Sequence, residues 1–350
     1  MSGTSLDGVD VLCAHFSFEH KEWKYQILAS KTYPYSEMWL ARLQHLPQES
    51  AVNFAKTHAF YGRYLGQLVQ AFLQETGLEA DFVSSHGHTI FHQPAAGFTS
   101  QIGDGAALSA SCGLPVVCDF RSMDVALGGQ GAPLVPMGDA LLFNKYDACL
   151  NLGGFSNISF TRNKARLAFD ISPCNLILNK VAQELGLAFD NKGILAQSAL
   201  PNPALIAQLN ALPYYTLSGP KSLGVEWLNQ HFWPIVEADH TCSKTELLAT
   251  FTQHIAMQVA QVLNQNAVQE VLVTGGGALN NFLVQQIQAN TAAKVLIPEI
   301  ELVQFKEALI FAFLGVLRMS NQYNILQEVT GSKQDHIGGA VYGNFKLFEQ

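Results

Sequence analysis

Met1-Ser-Gly-Thr-Ser-Leu-Asp-Gly-Val-Asp10 opens the chain, and Asn151-Leu-Gly-Gly-Phe-Ser-Asn157 repeats its plan near the middle. Each segment reads as strand, glycine turn, strand. In the first half, 9–18 and 24–33 alternate as strands, 36–46 and 51–76 carry helical spacing, 82–85 and 115–118 are short strands, and 104–112 is a short helix. In the second, 148–152 and 155–160 form a hairpin around Gly153–Gly154, 166–171 is a third strand and 175–185 a helix, its start capped by Ser172 with Pro173 at the first position. Later come a helix at 243–264, a strand at 270–273, a helix at 278–288, a strand at 295–297 and a helix at 305–319. The echo predicts a duplicated α/β architecture with two lobes around a central cleft. Residues 1–140 plus about 322–350 form the first lobe, and 141–321 form the second.

Bulk properties agree. A chain of 350 residues is too long for one ordinary core and suits two domains. With 48% hydrophobic and 14% charged residues, the composition is globular. The net charge of −8, with no Lys/Arg run, argues against a nucleic-acid partner. No apolar stretch reaches the length of a membrane span, so 308–317 reads as buried helix. The N-terminus lacks the basic-then-apolar pattern of a signal peptide. The six cysteines are scattered without a CxxC pair, which suits reduced thiols in the cytoplasm.

Several segments carry chemistry. In Gly3-Thr-Ser-Leu-Asp-Gly-Val-Asp10, glycines let backbone N–H groups converge on phosphate oxygens. Thr4 and Ser5 add hydroxyls, and Asp7 and Asp10 suit Mg²⁺. A plain hairpin turn fits the same residues. No Walker loop and no GxGxxG occurs. In Thr274-Gly-Gly-Gly277 a strand feeds three glycines before a helix, against which a nucleotide can lie; one glycine would suffice for a tight turn. Asp170, at a strand end, is placed to accept a proton, with helix capping as its other reading. His86, His88 and His92 cluster in Ser85–Pro94. The HxxxH spacing of the last two would suit a metal only on a helix, and Gly87 and Pro94 argue against one, so substrate hydrogen bonding is favoured over a metal, with loop packing as the other reading. Asp104, Arg121 and Gln130, in glycine-rich segments, suit hydroxyl and carboxylate recognition, though Arg121 could instead pair with Asp119 or Asp124. Glu307 stands at the start of an apolar helix, either as a first-turn acid favoured by the helix dipole or as a second site carboxylate.

Taken together, MSGTSLDGVD, SHGHTIFHQP, QIGDGAALSA, VVCDFRSMDVALGGQGAPLVP, NLGGFSNISF, TGGGALNNFL, FKEALIFAFLG and VTGSKQDHIGG closely resemble, in order, segments of the anhydro-N-acetylmuramic acid kinases. The resemblance covers nearly the whole chain. It implies a duplicated RNase H-like (actin/hexokinase/Hsp70) fold. It also implies a cytoplasmic reaction in which water opens the 1,6-anhydro ring while ATP, with Mg²⁺, phosphorylates O6, in cell-wall recycling. By the same resemblance Gly3, Thr4, Ser5, Leu6, Asp7, Gly8, Val9 and Asp10 hold ATP, helped by Gly153, Gly154, Asn157, Gly275, Gly276 and Gly277. Asp170 is the general base and Glu307 lines the active site. His86, His88, Asp104, Arg121, Gln130 and Asn175 contact the sugar, and a homodimer is plausible. Two departures stand out. The family reads Asp-Thr-Gly-Pro-Gly-Asn where this chain has Asp170-Ile-Ser-Pro-Cys-Asn175, a bulkier turn that could alter substrate choice. The family also carries apolar residues ahead of MSGTS, which implies here either a trimmed first strand or a late start. Another sugar substrate, or an Hsp70-like or metal-binding role, is the alternative.

Overall fold

A computed structural model describes residues 1–3, 6–219 and 221–344; Thr4, Ser5, Pro220 and 345–350 lie outside the described residues. The chain divides into two compact units: Met1–Leu142 with the residues from Phe305 onward, and Phe143–Gln304.

Unit 1 begins with a hairpin of β1 (Gly8–Glu19) and β2 (Glu22–Pro34). Gly8 must be glycine: a Cβ there would lie 2.4 Å from the Tyr33 carbonyl oxygen. Helices Glu37–His45 and Ala51–Thr76 follow, each started by a serine, Ser36 or Ser50, that accepts a backbone N–H. Strand β3 (Val83–Ser85) pairs in parallel with β6 (Val116–Cys118). The His-rich segment forms β4 (His88–Gln93), antiparallel to β5 (Phe98–Ile102). Val9, Tyr35, Trp39, Tyr61, Leu65 and Ile102 belong to one buried cluster in this unit.

In unit 2, β7 (Ala148–Leu152), β8 (Phe155–Arg162) and β9 (Ala165–Pro173) form an antiparallel meander, while β10 (Glu270–Thr274) and β11 (Lys294–Leu296) run parallel to β7. The order β11-β10-β7-β8-β9 is that of an RNase H-like sheet. The long helix Lys244–Gln265 packs on it, its start fixed by a capping box between Ser243 and Glu246.

Two expectations shift. The helix expected from 305 begins at Ile300 and runs to Met319. From Phe305 onward it packs with unit 1, whereas the sequence places residues up to 321 in the second lobe. Its contacts explain this. Phe313 meets Phe16 and Trp23, Phe311 meets His86 and Phe120, and Lys306 pairs with buried Asp139 at 2.7 Å. The other change is at Ser172 and Pro173, which end β9 instead of opening a helix; the helix is Asn175–Glu184, preceded by Cys174 without a side-chain cap. β12 (Ala340–Tyr342) returns to pair with β6.

Candidate active site

In unit 2 the register builds a polar row. Thr274 on β10 pairs with Asn151 on β7, Asn151 with Asn157 on β8, and Asn157 with Asp170 on β9. Residues opposite one another share a face of the sheet. Directly beyond the row lie the glycine turns that follow β7 and β10, at the carboxyl ends of parallel strands where α/β sheets bind ligands. Asp170 caps no helix. Its Oδ2 accepts the Leu223 N–H at 2.9 Å, its own N–H donates to the Lys221 carbonyl at 3.0 Å, and its carbonyl accepts from the Tyr214 hydroxyl at 2.7 Å. Burial raises its pKa, and the Leu223 N–H opposes that rise. Lys221–Leu223 and Tyr214 were invisible as site residues in the sequence: their contribution is mostly backbone geometry, which has no residue signature.

The substituted turn after Asp170 does not crowd it. Ile171 is the extra residue of a bulge between β8 and β9, and it points into the core at 1% exposure. Cys174 is wholly buried, and Ser172 bonds Ser156, hydroxyl to hydroxyl, at 2.9 Å. The lost glycines are thus replaced by side chains that the core absorbs.

The three-glycine turn has a mixed explanation. Gly275 has φ +82°, and a Cβ there would lie 2.5 Å from Asn151 Oδ1; a Cβ on Gly277 would lie 2.7 Å from that of Leu152. Both are therefore demanded by packing on β7. Only Gly276 is open, with Asn175 Nδ2 3.6 Å away. Asn175 anchors the turn after β7, donating its side-chain Nδ2 to the Leu152 carbonyl at 3.0 Å and its backbone N–H to the Gly153 carbonyl at 3.1 Å.

In unit 1, the loop from Met1 is held at Ser2. The Ser2 hydroxyl lies 2.8 Å from His88 Nδ1 and 2.6 Å from the Tyr35 hydroxyl, which in turn meets Tyr61. Burial pushes His88 down to about 4, so its ring is neutral at physiological pH. His88, expected to meet substrate, is engaged through Nδ1 with this loop. Gly3 and Leu6 are joined by a 3.4 Å backbone bond, Leu6 has φ +60°, and Asp7 is exposed. Val9 turns its side chain into the core, and Asp10 Oδ1 accepts from Thr32 at 2.6 Å. Asp7 and Asp10 offer only oxygen donors, which fits Mg²⁺ carried by nucleotide phosphates. Among the described residues no group of three His, Cys, Asp or Glu could hold a metal ion.

A second unit 1 cluster surrounds Arg121. Its Nε and Nη2 lie 3.0 and 2.9 Å from His86 Nε2, and its Nη1 donates to the Gly131 carbonyl at 2.6 Å. His86 is buried and held well below its usual pKa by that burial and by the Arg121 charge. Glu307 is in the middle of its helix, not the first turn. Its side chain reaches solvent, yet the protein crowding its carboxyl raises its pKa, against the pull of Arg121 and the Met1 ammonium. Neither expected acid pairs with Arg121. Asp119 takes Ser122, and buried Asp124 takes the Gly131 N–H and the Thr330 hydroxyl, both at 2.6 Å. That explains the late VTGSKQDHIGG segment: Thr330 also receives the Gln130 N–H at 2.8 Å, which fixes the loop while the Gln130 side chain stays exposed. Asp104 caps helix Gly105–Cys112, its Oδ1 accepting the Ala107 N–H at 2.7 Å.

Unit 2 thus presents an RNase H-like sheet with a half-buried carboxylate beside two glycine turns. The anhydro-N-acetylmuramic acid kinase family model matches residues 1–344. Relatives of that name are 35% identical in Pseudomonas putida, covering 98% of both chains, and 33% identical in Hydrogenovibrio crunogenus, covering 98% of this chain and 96% of that one. The chain belongs to the anhydro-N-acetylmuramic acid kinase family. No helix among the described residues is long and apolar enough to cross a membrane.

Proposed function

We propose that this chain converts 1,6-anhydro-N-acetylmuramic acid, water and ATP into N-acetylmuramic acid 6-phosphate and ADP, in the cytoplasm, as part of cell-wall recycling. The observation that carries the reading is Asp170: a half-buried carboxylate, held by Leu223, in register with Asn157 and Asn151 and next to the glycine turns. Asp170 takes a proton from the water that attacks the anomeric carbon, and its raised pKa makes it a stronger base than an exposed aspartate. Gly276, the open glycine of its turn, and the backbone at Gly153–Gly154 contact the nucleotide, and the Gly3–Asp10 loop receives its phosphates. ATP supplies the phosphoryl group and Mg²⁺ neutralises its oxygens. Asp7 and Asp10 would hold that ion through the phosphates. Arg121, kept in place by His86 and Gly131, and Glu307 would face the sugar.

The test is phosphate transfer from Mg-ATP to the purified anhydrosugar, followed by mass spectrometry of the product. The expected product gains one phosphoryl group (HPO3) from ATP and one water. Asp170→Asn should lower kcat by about 10²–10⁴-fold with the fold intact by circular dichroism. Phosphorylation of a different sugar, with none of this one, would overturn the substrate assignment.

A further inference from the structure

Strand β9 is the edge of the unit 2 sheet, with β8 on one side only. An edge strand presents unpaired backbone groups on its open side. At Asp170 one segment, 214–223, takes both of them. The Asp170 N–H donates to the Lys221 carbonyl at 3.0 Å, and the Asp170 carbonyl accepts from the Tyr214 hydroxyl at 2.7 Å. Two residues on from Lys221, the Leu223 N–H donates to the carboxylate itself, at Oδ2. This is the only hydrogen bond to the Asp170 carboxylate among the described residues, so Oδ1 stays open.

The segment holds its shape through one cation. Lys221 Nζ donates to the Tyr214 carbonyl at 3.0 Å and to the Leu217 carbonyl at 3.1 Å, which ties the end of the segment back to its start. The ammonium also lies 4.4 Å from the centre of the Tyr214 ring and 5.9 Å from that of Phe169. Midway, Gly219 lies against Phe169, where a Cβ would come within 2.5 Å of the ring. The start is fastened in turn to helix Lys244–Gln265. Asn210 Oδ1 accepts from Gln258 Nε2 at 2.9 Å and lies 2.6 Å from His254 Nδ1. An amide oxygen only accepts, so His254 carries its proton on Nδ1, and its Nε2 accepts from the Tyr215 hydroxyl at 2.9 Å. Lys221 does not reach the carboxylate by its charge. Burial raises the Asp170 pKa and the Leu223 N–H lowers it. The influence of Lys221 therefore passes through the backbone.

We propose that Lys221 is a positioning residue for Asp170: its ammonium closes segment 214–223, and that closure holds the Leu223 N–H on Oδ2 and leaves Oδ1 to take the proton of the attacking water. The inference rests on Asp170 as the general base of the proposed reaction. In that step the water proton passes to Oδ1 while its oxygen bonds the anomeric carbon. The ring bond from that carbon to O6 breaks, O6 takes the phosphoryl group from ATP, and the proton then leaves Asp170 for solvent.

Lys221→Met keeps the stem over the rings and removes the ammonium. Two readouts test it. The first, without sugar or nucleotide, is a carbon-13 NMR titration of the Asp170 carboxyl, assigned by Asp170→Asn. Loss of the Leu223 bond should raise that pKa in Lys221→Met and shift the Leu223 amide signal. The second is kinetic. kcat should fall by about 10–100-fold with KM for the anhydrosugar nearly unchanged, and the acid limb of the kcat/KM profile should move up with the carboxyl. Lys221→Arg, which again offers a cation to both carbonyls, should restore most of both readouts. Gly219→Ala, which lifts the segment off Phe169 and keeps Lys221, should move them in the same direction as Lys221→Met, and it carries the test if Lys221→Met does not fold by circular dichroism. An Asp170 titration and a Leu223 signal unchanged from the parent chain would overturn the proposal, even with Tm lowered. A titration that moves while the acid limb stays would support Lys221 as the positioning residue and remove Asp170 as the base, so the two readings fail separately.

Discussion

In unit 2 five strands run without a break, and β7 at their centre is buried everywhere except at Asn151. In unit 1 the same plan is split: β1–β2 is one ladder and β12-β6-β3 another. The continuous sheet carries the carboxylate whose position the proposed chemistry depends on. The split sheet carries a loop tied down by side chains, through Ser2, His88 and Tyr35, where unit 2 relies on backbone register. Backbone register fixes the place of the carboxylate, whereas a side-chain tether holds the loop proposed to receive phosphates.

The largest expected effect tests this division directly. Asp170→Asn should cost about 10²–10⁴ in kcat, whereas His88→Ala, which removes the Ser2 tether, should mainly raise KM for ATP. Equal losses in kcat would break the contrast. Next in size is the glycine turn. Gly277→Val should destabilise unit 2 by about 1–3 kcal/mol in urea denaturation, because its side chain meets Leu152. Gly276→Ala should leave the midpoint unchanged and alter nucleotide affinity alone; a shifted midpoint would mean that all three glycines serve packing.

Acid should act on both units. Burial pushes His88 to about 4 and His254, held between Tyr215 and Asn210, to about 3, against an ordinary value of 6.5. The unfolded chain therefore binds more protons over this range, so stability is fully present above 6.5 and falls as pH drops towards 4. Below 4 only His254 of these two continues the loss. Denaturation midpoints across pH 7 to 3 check it, and a flat profile would contradict buried neutral rings. The smallest effect has the opposite sign. Since Asp170 has a raised pKa in the fold, its charge disfavours folding above that value, and Asp170→Asn should slightly raise Tm at neutral pH even as it slows turnover.

Much of this was legible in the sequence. Residues 51–76 form a helix as their apolar spacing predicts, and Ser50 starts it. The hairpin around Gly153–Gly154 and the strand into Gly275 are where glycine and alternation place them. Asp104 and Asp170 show the limit. Both are acids beside turns, and local sequence offers capping or chemistry for each. Asp104 caps a helix; Asp170 does not.

What the sequence determined by itself was therefore the order and type of the elements and the resemblance that names the family, because periodicity and turn chemistry act over a few residues. What only the tertiary structure decided was which groups meet. It brought Leu223 to Asp170 across 53 positions, Thr330 to Asp124 across 206, and Met1 to Asp10 as a strand pair. Such encounters depend on sheet order and packing, and those are settled only when the whole chain has closed on itself.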